Sequence, residues 1–178
     1  MPKIAIVTDS TASLPEAWVE QHNIRVIPLK IHWGDETFLD GVDLKPDEFY
    51  KRLPQSKTLP TTSQPSVIDF LQVFESLAEQ ADSILALLIS SGISGAVASA
   101  QAAALQFNRV PVEIIDTQIT SMRQVLILLA AARALEQGKS LHEVKQTAEE
   151  IVPRLHTFFA VDTLEYLHRG GRINTATR

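Results

Sequence analysis

The sequence predicts an α/β fold, a parallel sheet with helices on both faces, followed by the start of a second α/β domain. Two observations carry this prediction. Short β-rich apolar runs alternate with longer stretches of helical periodicity, the pattern of strands joined by covering helices. Three of these runs also end alike, in "VTDST", "ISSGIS" and "IIDT". Small polar residues where a strand gives way to a helix suit the carboxyl edge of an open parallel sheet.

The elements follow in chain order. "KIAIVT" reads as a buried strand, and "PEAWVEQH" as a helix with Pro15 in its first turn. "IRVIPLKIHW" reads as one further strand, turned by Gly34 and Asp35 into "ETFL". A short helix, "PDEFYKRL", begins at Pro46. The Pro/Ser/Thr-rich segment 54–66, "PQSKTLPTTSQPS", reads as a loop leading into a helix over "VIDFLQVFESLAEQ". Strand "SILALLI", helix "AVASAQAAALQF", strand "VEIID" and helix "MRQVLILLAAARALEQ" come next, the last ending at Gly138. "LHEVKQTAEEIVPRL" has helical periodicity up to Pro153; "TFFAV" then reads as a strand and "TLEYLHRG" as a short helix. At the end, Asn174 or Thr175 stands as the N-cap of a helix with no room to propagate. The expected division is therefore an α/β domain over residues 1–155 and the beginning of a second, truncated domain over 156–178.

Composition bounds the function. The 178 residues are 45% hydrophobic and 21% charged, as in a globular chain with a core of its own. Sixteen basic residues face 21 acidic ones, a net charge of −5, with no basic stripe to repay phosphate contacts. Nucleic acid is therefore excluded as the main partner. Cysteine is absent, which removes disulfides and thiolate metal sites and fits a reducing compartment. The N-terminal "MPKIAIVTDS" is too short in apolar residues for a signal segment. The longest apolar run, "VLILLAAA", falls well short of the roughly 20 residues of a membrane span. A cytoplasmic protein is expected.

The strand ends hold the candidate chemistry. Asp9, Ser10, Ser90, Ser91, Ser94, Asp116 and Thr117 would share one rim of the sheet, although Ser, Thr and Asp also serve there as ordinary N-caps. Ser94 and Gly95 open an alanine-rich helix, placing a hydroxyl and free N–H groups at its positive end, a cradle for an anion. Gly92 and Gly95 permit close approach of a ligand to the backbone. No lysine lies in this loop, so it is not a nucleotide-binding P-loop, and an uncharged cradle suits a single carboxylate. A second hydroxyl cluster, Thr61, Thr62, Ser63 and Ser66, precedes the next helix and reads equally as a capped surface loop.

The same loop also admits an enzyme reading. "GISGA" is one step from a nucleophile elbow, and Asp116 and His142 or His156 follow it in the order Ser, Asp, His. That makes a serine hydrolase with Ser94 as nucleophile the alternative function. Metal chemistry is disfavoured: His22, His32, His142, His156 and His168 are scattered, and "HEVKQ" ends in Gln146 where a zinc helix needs histidine. No cofactor is expected. In "LEYLHRGGRI", Gly170 and Gly171 cap a helix, and Arg172 serves either the helix dipole or an anion held bidentately.

Together, "TDSTASLP", "TTSQPS", "SSGISG", "IDT" and "LEYLHRGGRI", in this order over essentially the whole chain, resemble the DegV family of bacterial fatty-acid-binding proteins. The resemblance implies two α/β domains with a long acyl chain in a tunnel and its carboxylate held by hydroxyls. By position it assigns the carboxylate to Thr62 and Ser94; Ser63, Ser91 and Gly95, from the same hydroxyl-rich stretches, are further candidates for binding it. It matches Arg172 to an arginine implicated in handing the acyl group to a partner kinase that forms an acyl phosphate for phospholipid synthesis. The chain would then be a carrier rather than an enzyme. After Ser94-Gly95 the family usually has Thr or Ser and then Tyr, where this chain has Ala96 and Val97.

Overall fold

The computed structural model describes residues 3–156 and 158–173. In chain order its first half comprises β1 (Ile4–Asp9), α1 (Glu16–Gln21), β2 (Ile24–Ile27), β3 (Lys30–Trp33), β4 (Glu36–Leu39), α2 (Pro46–Arg52), β5 (Thr61–Ser63) and α3 (Val67–Leu77). The second half comprises β6 (Ser83–Leu88), α4 (Ala96–Gln106), β7 (Val112–Asp116), α5 (Met122–Glu136), α6 (Leu141–Ile151) and α7 (Glu165–Arg169).

The main sheet is parallel, in the order β2-β1-β6-β7. Its centre is β6, buried along its whole length. Because side chains alternate across a strand, Ile84, Ala86 and Leu88 face one layer while Leu85 and Leu87 face the other. The first layer is α3 and α4, contributing Phe70, Phe74, Val97, Ala100 and Ala103. The second is built mainly on α5 and α6, with Val125, Leu128, Ala131, Val144 and Ala148. Alanines on α4 let that helix sit close to the sheet, and Phe74 fills the gap beyond, its ring 6.0 Å from Phe70 and 5.8 Å from Phe107. The expected parallel sheet covered on both faces is thus observed.

Two expectations along the chain change. "IRVIPLKIHW" is not one strand: β2 belongs to the parallel sheet and β3 to a separate antiparallel sheet of order β4-β3-β5. Pro28 lies at the break, where it has no N–H to continue a ladder. Leu29 turns inward instead, its N–H donating to the Ser10 hydroxyl at 3.0 Å and its carbonyl accepting from Asp40 N at 2.9 Å. Within the segment read as a loop, Thr61–Ser63 pairs with β3 as a three-residue edge strand. Pro60 and Pro65 flank it, and such short, proline-bounded strands are tolerated at a sheet edge.

The small sheet has its own core of Ile31, Trp33 and Leu44, with Phe38, Phe49 and Leu53 against it. The Trp33 indole donates to the Ser56 hydroxyl at 2.7 Å, and the Arg52 guanidinium lies 4.5 Å from its ring centroid. Farther on, the strand expected over 157–161 does not form in its described part, 158–161, whereas the helix after it is present as α7. The expected N-cap at Asn174 or Thr175 lies outside the described residues. Among the described residues, no helix is long and apolar enough to cross a membrane.

Candidate functional site

The order β2-β1-β6-β7 reverses direction between β1 and β6, and ligand crevices in open α/β sheets lie beyond the carboxyl ends at such a point. Asp9 ties these two ends together. Its buried carboxylate accepts from Ile89 N at 2.7 Å, Thr11 N at 3.0 Å and the Gln124 amide at 3.3 Å. Gln124, fully buried on α5, also donates to the Thr8 hydroxyl at 3.0 Å. Asp9 therefore fixes the floor of the crevice from within.

Above this floor lies a cavity of about 610 Å³, between the carboxyl ends of β1 and β6, the small sheet and α2. Its apolar wall includes Leu29, Ile31, Leu44, Phe49, Ile89 and Ile93. Thr62, Gln64, Ser94 and Arg172 supply polar groups to the same cavity. A neighbouring cavity of about 480 Å³ lies against α1, and Ser13, Asp40 and Pro46 line both.

Thr62 reaches the cavity because β5 is a strand. It sits opposite Ile31, and both line the cavity, while its neighbour Ser63 points to the other face and shares a 2.8 Å hydrogen bond with His32 Nε2. Ser66 is the N-cap of α3: its hydroxyl accepts from Asp69 N, and the Asp69 carboxylate accepts from the Ser66 N–H at 2.7 Å. Partial burial acts to raise the Asp69 carboxyl, but the hydrogen bond from Lys30 at 2.9 Å, those from Ser66 and the Lys30 charge together hold it below its ordinary value. This ion pair fastens α3 to β3 directly behind the edge strand.

Ser94 lies just before Gly95, the N-cap of α4. Its hydroxyl accepts from Ala96 N at 3.2 Å, so its single proton remains available to a ligand. Ser91 is turned away, its N–H and hydroxyl both donating to Asp116, and neither residue lines the cavity. Of the other rim residues, Ser10 accepts from Leu29 N, Ser90 accepts from Gly92 N, and Thr117 donates to the Leu88 carbonyl. These hydroxyls serve the loops themselves. The Ser, Asp, His order of a hydrolase is not assembled among the described residues. Asp116 is engaged by Ser91, and His142 lies on α6, across the sheet from α4. Among the described residues no cluster of His, Cys, Asp or Glu is arranged to hold a metal ion.

Residues 3–178 match the family model described as "Uncharacterised protein, DegV family". The chain belongs to the DegV family. It is 38% identical over 174 residues to a DegV domain-containing protein of Caldanaerobacter subterraneus subsp. tengcongensis, covering 98% of this chain and 62% of that relative. The solved structure of a DegV family protein from Thermus thermophilus, described by its fatty acid binding, superposes with a TM-score of 0.88 at 39% identity, over 98% of this chain and 62% of that one. DegV of Bacillus subtilis, described as a fatty acid binding protein, gives 0.89 at 33% identity, over 96% and 61%. This chain thus spans a little over three-fifths of the length of those DegV proteins.

In this DegV chain the structure brings Thr62, Ser94 and Arg172 to one cavity, with Gly95 at its edge beside Gln64, and leaves Ser63 and Ser91 outside its lining. Ala96 and Val97, where the resemblance leads one to expect a hydroxyl and a ring, are buried at the start of α4, Val97 inside the core layer with α3. Sequence reasoning missed the apolar half of the site. Phe49 and Tyr50 of α2, Ile31 of the small sheet and Leu29 just before it carry no local signal that separates a cavity wall from packed core. Gln64 lies inside "TTSQPS", where nothing local distinguishes it from a solvent-facing loop residue.

Proposed function

We propose that this chain binds a long-chain fatty acid in the 610 Å³ cavity, with the carboxylate held by the hydroxyls of Thr62 and Ser94 and the tail against Leu29, Ile31, Leu44 and Phe49. The observation that carries the reading is that hydroxyl residues from two distant segments line one largely apolar cavity of ordinary ligand size, roughly 300–1,000 Å³. The descriptions of the Thermus thermophilus and Bacillus subtilis relatives as fatty-acid-binding support it.

The physical division of labour is consistent. Burial of an acyl tail supplies about 0.8 kcal/mol per methylene, so an eighteen-carbon acid draws most of its affinity from the wall. The hydroxyls orient the head group through hydrogen bonds and bring no formal charge of their own. In this proposal Arg172, exposed and lining the same cavity, serves the later step, presentation of the carboxylate to a fatty acid kinase that forms an acyl phosphate. In the same proposal the segment from about residue 156 onward opens a second domain.

The test is native mass spectrometry of the purified chain, solvent extraction of any adduct, and titration with stearate. A one-to-one adduct that extracts as a free C14–C20 acid, lost in a Thr62→Val, Ser94→Ala double variant, is the expected result. A chain that neither carries an extractable acid nor binds added stearate refutes the proposal. Labelling of Ser94 by a fluorophosphonate, with ester turnover, would favour the hydrolase instead.

A further inference from the structure

We infer that Gln64 is a third head-group donor, and that Gly95 lacks a side chain so that the Gln64 amide can close over the start of α4. The inference rests on the fatty-acid reading above and names a residue that reading does not use.

Gly95 has an ordinary helical-side backbone, φ −81° and ψ 7°, which any residue adopts. Its conformation therefore does not explain the glycine. Space does. A Cβ placed on Gly95 would lie 2.8 Å from Gln64 Nε2, 3.1 Å from its Cδ and 3.6 Å from its Cγ, and these are the nearest atoms around it. The whole outer half of the Gln64 side chain thus rests on the bare backbone at the N-cap of α4.

Gln64 is also unusual in what it lacks. It lines the cavity beside Thr62 and Ser94, is exposed, and its amide forms no hydrogen bond to other described residues. A glutamine that lines the cavity with Thr62 and Ser94 and has no hydrogen-bond partner among the described residues keeps two N–H donors for a ligand. A carboxylate has acceptor sites beyond those that two hydroxyls fill. The amide NH₂ is matched to that need, and its carbonyl adds no formal charge. A glutamate of the same shape would present only acceptors, and a charge like that of the ligand.

The experiment is titration of the full chain with stearate and with octadecanol for the wild type, Gln64→Ala, Gln64→Glu, Gly95→Ala and the Gln64→Ala/Gly95→Ala pair. A hydrogen bond to a charged group predicts a loss of about tenfold or more in stearate affinity for Gln64→Ala. Gln64→Glu should lose more, while octadecanol should be affected several-fold less by either change. Gly95→Ala should weaken stearate in the wild-type background and add almost nothing once Gln64 is already alanine, because the added Cβ then has no amide to displace. Stearate affinity unchanged by Gln64→Ala overturns the inference. So does an equal loss from Gly95→Ala in both backgrounds, which would mean that the glycine serves the ligand or the helix directly. Failure of the wild type to bind stearate removes the fatty-acid reading and this inference with it, an outcome distinct from wild-type binding with indifferent Gln64 variants.

Discussion

Replacing Asp9 by alanine should unfasten the floor of the cavity. The carboxylate is completely buried and accepts from Ile89 N, Thr11 N, the Thr11 hydroxyl and the Gln124 amide. These losses are unequal. Gln124 keeps the Thr8 hydroxyl at 3.0 Å and the Leu87 carbonyl at 3.3 Å, so it is not orphaned. Thr11 is only half-buried, and water can replace much of what its N–H and hydroxyl lose. Ile89 is the serious case, since it is buried and its N–H donates to Asp9 at 2.7 Å. One unsatisfied buried donor costs about 1–3 kcal/mol, and the weakened Thr11 and Gln124 bonds add about 1 kcal/mol more. The sum is roughly 2–4 kcal/mol, a fall in Tm of about 4–15 °C for a chain of this size. Urea unfolding followed by circular dichroism measures it, with the Asp9→Asn variant between wild type and Asp9→Ala because one side-chain oxygen survives. A loss below about 0.5 kcal/mol for Asp9→Ala would refute the argument that this carboxylate joins β1 to β6.

Phe74→Ala should cost about 3–5 kcal/mol, since the ring is fully buried between Phe70 and Phe107 and α3 cannot collapse onto a sheet already met by α4; chemical denaturation reads it directly. The Asp69 carboxyl lies below its ordinary value of 3.8, so its contribution to stability is fully present above that pH and is lost as pH falls through the lower folded value. Unfolding free energies from pH 6 down to pH 2 should therefore drop more steeply for wild type than for Asp69→Asn, and parallel curves would remove the Lys30–Asp69 tie as a source of pH dependence.

Much of the main sheet was legible because its signals are local. "SILALLI" is apolar without alternation, and β6 is indeed buried on both faces. Ser66 was placed just before the next helix, and it is the N-cap of α3. The errors occurred where partners decide. Nothing in "IRVIPLKIHW" states that its halves join different sheets, although Pro28 marks where they part. Thr61–Ser63 looked like loop because three residues between prolines carry no periodicity, and only the exposed edge of β3 makes them a strand. Of the hydroxyls at the strand ends, most satisfy their own loops. Ser91 and Ser94 are indistinguishable as text, yet one faces Asp116 and the other the cavity.

The sequence by itself determined the elements of the main α/β layer, the hydroxyl-rich ends of its strands and, through five ordered motifs, the family. These depend on side-chain periodicity, capping chemistry and residue identity, all of which are properties of short stretches. Tertiary structure alone decided that a second, antiparallel sheet exists, that Thr62 and Ser94 open onto the same apolar space, and that Gln64 lies against Gly95. Those facts arise from pairing β3 with β5 and from packing the small sheet beside the carboxyl ends of β1 and β6. Such long-range contacts depend on which surfaces remain unpaired once the local elements have formed.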